Sequence, residues 1–325
     1  MSGPDESRLL AWLRGEAVRA DGAVLSWVNP SHPGYAYPEV AGLWLTVLAS
    51  EDSITDAELE RVAGWVASEV DEAGRVGRGE VRYSFDSAIV VVGLVQAARR
   101  GLGVDRGLLE RMGLALAADL RAGAVAFPAG EARWSTRPSA HLGKLRWAFA
   151  ELDALLGEDP RRDRGELDEH FARLDQMTCL DDGRIRIRAD DPRSYVHASC
   201  YALEGMLLEP QREHARLLAG ARWLTTIQDA QGSLPNWVAA PEQAVAWPSD
   251  VIAQAVRIWA RIDPIEFARP IALALDQLRL RQTESGGLSY LAGASGHVDV
   301  NVWASLFALQ AVRWAAGRDT SGVIA

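Results

Sequence analysis

Six places along this chain set an acid, an imidazole or a cation at the head of a strongly apolar stretch. Glu39 follows Tyr35, Tyr37 and Pro38, and Asp86 sits in a Ser-Phe-Asp-Ser-Ala run. His141 and Lys144 are one helical turn apart, while His197, Tyr201 and Glu204 are spaced to share one helical face. Asp250 precedes Gln254 and Arg257, and Asp299 precedes Asn301. Carboxyls gathered in a poorly hydrated place have raised and split proton affinities, so that one donates while another accepts. Glu39, Asp86 and Asp250 are therefore the expected acid and base groups, with His197 or His141 as proton shuttle. Lys144 or Arg257 is expected to hold an anionic group. Plainer roles compete: Asp86 and Asp250 suit first-turn capping carboxylates, worth about 1 kcal/mol, and Glu39 after Pro38 suits the helix dipole.

Other chemistries lack their motifs. The sequence has no HExxH or HxH, no GxGxxG, no GxxxxGK[ST] and no GxSxG, so no metal, nucleotide cofactor or elbow serine is indicated. Cys179 and Cys200 form no CxxC and are expected to be plain buried thiols. His170 and His214 fall in charged helical segments and are expected at the surface; His32 and His297 fall in links that could reach a site. Twelve tryptophans divide the same way. Trp27, Trp134, Trp237 and Trp247 fall in links, where a flat face could stack on a substrate, whereas Trp65, Trp147, Trp223, Trp259 and Trp314 have helical spacing and read as core.

With 44 acidic against 34 basic residues the formal charge is -10, which disfavours a nucleic-acid partner. Lys144 is the only lysine, which singles it out for attention. The first residues are polar and acidic rather than a signal sequence, and the apolar run from Ala88 to Val95 is too short to cross a bilayer. These features predict a cytoplasmic protein, without a membrane partner, that meets a small-molecule substrate, possibly carrier-bound.

The elements that must position these residues follow from an internal repeat. A glycine after a polar helix end recurs roughly every 50 residues, at Gly22, Gly74, Gly123, Gly183, Gly232 and Gly287. Each is expected to be a left-handed helix cap. An aromatic or β-branched link follows, then a second helix starting near Pro38, Asp86, His141, His197, Asp250 or Asn301. First helices, such as 54–70 and 212–227, carry one apolar stripe; second helices, such as 87–98, are apolar almost all round. An outer ring of amphipathic helices around an inner buried ring explains both patterns. The expectation is an all-α fold, an (α/α)6 toroid of six helical hairpins with short strand-like links, forming one domain over residues 1–325. Parallel inner helices would then bring all six N-termini to one end of the central hollow.

The six-hairpin pattern resembles the toroids of N-acylglucosamine 2-epimerases, of polysaccharide lyases and glycosidases, and of terpenoid cyclases and prenyltransferases. The segments 228–237 and 282–290 are similar to the glutamine, glycine and tryptophan repeat of triterpene cyclases, although no DxDD acid motif is present. The resemblance implies a central cavity that carries the chemistry. Three readings follow. The first is a cofactor-independent enzyme acting on a sugar or sugar acid by epimerisation, elimination or hydrolysis. The second is a ring-forming enzyme of natural-product biosynthesis, closing a nitrogen heterocycle or steering a carbocation. The third is a silent toroid that binds a ligand or partner. Candidate catalytic residues are Glu39, Asp86, His197 and Asp250. Candidate substrate contacts are Tyr35, Tyr37, His141, Lys144, Tyr201, Glu204, Trp237, Trp247, Arg257, Asp299 and Asn301.

Overall fold

The computed structural model describes residues 3–29, 34–123, 126–127, 134–239, 245–291, 299–318 and 323–325. His32 and His297 lie outside them, as does the side chain of Trp134. Among the described residues twelve α-helices alternate between two rings. The outer ring holds α1 (Glu6–Gly15), α3 (Asp56–Ser68), α5 (Arg106–Ala122), α7 (Arg164–Thr178), α9 (His214–Thr226) and α11 (Ala268–Leu280). The inner ring holds α2 (Pro38–Leu48), α4 (Ser84–Arg99), α6 (Leu145–Leu156), α8 (Val196–Met206), α10 (Ser249–Ile262) and α12 (Val302–Ala315). A 3-10 turn, Ala140–Lys144, leads directly into α6.

Burial separates the rings as the hydrophobic pattern requires. Every residue of α2 and of α8 is buried, whereas α3 buries only Leu59, Val62, Ala63 and Val66. Each inner helix packs on the next, and α12 packs back on α2, so the ring closes. Across the seam Arg313 of α12 bonds Glu6 of α1 at 2.8 Å and also Glu51 beyond α2. The result is the (α/α)6 toroid.

The repeated glycines act differently from simple helix caps. Only Gly123 caps its helix in the left-handed conformation. Gly22, Gly74, Gly183, Gly232 and Gly286 stand several residues beyond a helix, in tight turns with positive φ. In each, the glycine N–H returns to the carbonyl three residues back, as from Gly22 to Arg19 at 3.0 Å. Each turn also presses on the next outer helix: a Cβ on Gly22 would lie 2.2 Å from the Arg61 carbonyl oxygen, and one on Gly286 would lie 2.5 Å from that of Arg8. Gly286, not Gly287, is thus the sixth member, and its contact with α1 joins the last repeat to the first.

The links are two- and three-residue strands. In chain order they are β1 (Trp27–Val28), β2 (Gly77–Arg78), β3 (Val81–Tyr83), β4 (Ala126–Phe127), β5 (Ser194–Tyr195), β6 (Trp237–Val238), β7 (Leu288–Ser289) and β8 (Val300–Asn301). They pair antiparallel in small ribbons, ordered β1-β8-β7, β2-β3-β4 and β5-β6. Strands β3, β5 and β8 run straight into α4, α8 and α12, which fixes where those inner helices begin. No described helix is long and apolar enough to cross a membrane.

Candidate active site

The inner-helix N-termini meet around one cavity of about 370 Å³. Every repeat supplies it with a side chain: Glu39 from α2, Asp86 from α4, His141 from the turn before α6, His197 from α8, Asp250 from α10 and Asn301 at the head of α12. Tyr35, Tyr37, Tyr201 and Asp299 also line it, as does Trp27. Residues far apart in sequence thus share a hollow because each occupies the same position in its hairpin.

Asp86 stands in the first turn of α4 but is not its N-cap. Tyr83 is the N-cap of α4, with no side-chain cap bond, and Asp86 Oδ2 instead accepts the Tyr37 hydroxyl at 2.5 Å. Glu39 Oε2 accepts the Trp303 indole N–H at 2.7 Å. Asp250 bonds the N–H of Val251 through Oδ1 at 2.8 Å, while its Oδ2 lies 3.4 Å from His197 Nδ1. Asn301 does cap its helix, accepting the N–H of Ala304 at 2.9 Å.

Burial decides the protonation of these groups. Loss of hydration, then the nearby charge of Asp86, raises the pKa of Glu39 far above the carboxylate range. Burial likewise raises Asp86, opposed by the Tyr37 hydrogen bond. Two carboxyls that both resist ionisation form a proton-holding pair on one side of the cavity. Asp250 is pushed up less, to about 6, by burial opposed by backbone N–H groups. His197 and His141 are both pushed down to about 3, foremost by burial, and are neutral imidazoles at ordinary pH.

The cavity is a cup rather than a channel because charged residues close its lower side. Glu204, fully buried, accepts Lys144 Nζ at 2.8 Å and also pairs with Arg257. Both cations bond the main-chain oxygen of Ala325 too. Lys144 lies 4.7 Å from the Tyr201 ring centroid and Arg257 lies 4.0 Å from that of Phe307. Lys144, Arg257 and Glu204, expected as substrate contacts, are thus bound to one another in the floor and do not line the cavity. Burial lowers the Lys144 pKa to about 8, against the pull of Glu204.

Two tryptophans expected at the site lie elsewhere. Trp237 packs on Tyr195 with centroids 4.7 Å apart, outside the cavity lining, and Trp247 is 46% exposed. In their place stand Tyr83, Phe85, Ser135, Tyr290 and Trp303, none singled out by sequence. Tyr83, Phe85 and Trp303 flank the predicted Asp86 and Asn301, so their neighbourhood was the available signal. Trp65 is half-buried and Trp147, Trp223, Trp259 and Trp314 are buried, in line with their helical spacing. His214 is exposed, His170 and Cys179 are half-buried, and Cys200 is buried; both thiols are free. Among the described residues no group of three His, Cys, Asp or Glu is placed to hold a metal ion.

No family model and no curated protein matches this sequence. Solved structures do match in fold. A glycosidase superposes with a TM-score of 0.69 at 13% identity, over 97% of this chain and 98% of that one. A cellobiose 2-epimerase from Spirochaeta thermophila gives 0.66 at 17% identity, over 96% of both chains. A type II terpene cyclase from Scytonema gives 0.65 at 13% identity, again over 96% of both. The chain thus shares the toroid of these three kinds of protein, and likeness at this identity speaks to the fold alone.

Proposed function

We propose that this protein is a cofactor-independent acid/base enzyme acting on a small polar molecule of sugar type held in the central cavity. The observation that carries this reading is the gathering of three buried carboxyls at one cavity in two settings: Glu39 and Asp86, bonded to Trp303 and Tyr37, and Asp250, set beside the His197 imidazole. The pair is the general acid, protonating a carbonyl or leaving-group oxygen. Asp250 is the base, taking a proton from a substrate carbon or from water, and neutral His197 beside it orients or relays. Tyrosine and tryptophan rings with polar tips suit stacking against a sugar face while bonding its hydroxyls. A cavity of about 370 Å³ is at the small end of ligand pockets and fits one or two sugar rings. Structural neighbours that include a glycosidase and an epimerase agree with this class.

A silent scaffold would fill its hollow with residues paired to one another. Here Asp86 and Glu39 bond Tyr37 and Trp303, yet these side chains leave the hollow open, and the carboxyls at the helix N-termini still line a cavity of about 370 Å³. Ring closure through a cationic transition state is the second reading, favoured by the many aromatic rings and by a lining without lysine or arginine among the described residues. The same lining gives no support to an anionic or carrier-bound substrate.

The test is incubation in D₂O with a panel of neutral and amino sugars, both monosaccharides and disaccharides, followed by NMR. Deuterium at a sugar carbon reports epimerisation, a new vinylic signal reports elimination, and a new reducing end reports hydrolysis. Asp86→Asn and Asp250→Asn should each lower turnover by about 10²- to 10⁴-fold while the protein stays folded. Undiminished turnover in both variants refutes the assignment.

A further inference from the structure

The walls of the cavity are unevenly built. Trp27, Tyr35, Tyr37 and Trp303 form a continuous arc, with successive ring centroids 4.9, 5.6 and 5.9 Å apart. Their planes meet at 87°, 71° and 58°, so the rings turn around a space instead of stacking into a slab. The two carboxyls of the proton-holding pair sit against this arc, bonded to its members Tyr37 and Trp303. A guanidinium already uses one face of the arc, since Arg78 lies 3.8 Å from the Tyr35 ring centroid.

We propose that the arc of Trp27, Tyr35, Tyr37 and Trp303, closed by Glu39 and Asp86, is a cage for an ammonium group, so that the substrate carries an amine. Ring faces attract a cation through their quadrupoles, and the preference grows when water is excluded. This deepens the proposed function and rests on the cavity being the substrate site. An amino sugar meets both requirements: hydroxyls for the tyrosines and an ammonium for the cage.

The charge balance around the pair agrees. Lys144 acts on Glu39 from the floor, Arg78 stands at the outer face of Tyr35, and His141 and His197 are neutral. Asp250 and Asp299 set two further carboxyl groups in the same cavity lining. An arriving cation would lower the proton affinity of Glu39 and Asp86, so binding expels one of the two protons the pair can hold, leaves the other for the acid role, and tightens as pH rises.

The probes are choline and 3,3-dimethylbutan-1-ol, which share a shape and differ only in fixed charge, titrated into the whole protein by calorimetry. Choline should bind about tenfold tighter at pH 8. It should release a proton, seen as a buffer-dependent heat, and weaken at pH 5.5. Trp303→Leu and Glu39→Gln, checked for folding, should each erase the preference. Equal affinity for the two probes, saturable binding of neither, or a preference that survives both variants overturns the cage. The wild-type comparison needs no variant to fold. Failure of the cage leaves the turnover test on Asp86 and Asp250 standing, whereas failure of that test removes the site itself.

Discussion

The Tyr37 hydroxyl donates to Asp86 across 2.5 Å, joining the residue before α2 to the first turn of α4. Burial and the neighbouring Asp86 charge raise the Tyr37 pKa, so the phenol stays protonated and remains a donor. The bond favours the ionised carboxylate and partly offsets the burial that raises Asp86. Trp303 does the same for Glu39 from the opposite side of the ring seam.

Removing the phenol should therefore strengthen the hold of Asp86 on its proton. In Tyr37→Phe the alkaline limb of the pH–rate profile, set by loss of the acid's proton, should move to higher pH. A hydrogen bond of about 1 kcal/mol corresponds to a shift of somewhat under one unit. Trp303→Phe should move the same limb in the same direction through Glu39. A limb that stays in place in both variants would mean that the pair is not the titrating acid.

Asp250 yields a stability prediction opposite to the usual carboxylate case. Burial pushes its pKa in the folded state up to about 6 from the ordinary aspartate value of 3.8, so the folded state binds the proton more tightly. The stabilisation this gives is present at low pH and disappears as pH rises from about 4 to 6, where the unfolded chain ionises first. Asp250→Asn retains an oxygen for the N–H of Val251 and has no proton to lose. Urea unfolding should show the variant more stable than wild type above pH 6, by on the order of 2–3 kcal/mol, with the gap closing by pH 4. Equal stability at every pH would remove burial as the cause of the shift.

How much of this was legible in the sequence differs by level. Glu39, Asp86, His141, His197 and Asp250 were legible because hairpin register alone brings them together, and register is written in hydrophobic periodicity. The cage was only half legible. Tyr35 and Tyr37 stood beside Glu39, but Trp303 reaches Glu39 across the seam, a pairing of residues 264 apart that no local pattern encodes. Lys144 and Arg257 were read as substrate contacts because they follow the helix starts. About two turns of rise carry both Glu204 on α8 and Arg257 on α10 down into the floor, where opposite charges are the cheapest neighbours for one another. Gly286 was missed for Gly287 because both letters fit the pattern and only the backbone φ, +112°, separates them.

The glycine turns permit a controlled comparison. Gly22 and Gly101 both have positive φ, +92° and +98°, but only Gly22 has a neighbouring backbone oxygen where a Cβ would go; Gly101 faces open space. Gly101→Ala should cost about 1 kcal/mol from left-handed strain alone. Gly22→Ala adds a clash with the Arg61 carbonyl on α3 and should cost about 2–4 kcal/mol. Chemical denaturation of the pair measures the inter-repeat contact by difference, and equal losses would show that α3 moves aside at no cost.

The floor gives the most asymmetric prediction. Glu204 is the side-chain carboxylate paired with two buried cations, so Glu204→Gln takes that charge from both Lys144 and Arg257 away from water and leaves them their bonds to the Ala325 oxygen. Stripping one side of a buried ion cluster costs about 3–5 kcal/mol. Lys144→Met leaves the Glu204–Arg257 pair whole and replaces the ammonium stem with an apolar one of similar length, so the cost should be well below that of Glu204→Gln. The double variant should then recover part of the stability lost in Glu204→Gln, because one of the two orphaned cations is gone. Equilibrium unfolding of the three variants tests this, and a double variant less stable than Glu204→Gln would show that Lys144 supports the floor through its contact with the Ala325 carbonyl rather than through Glu204.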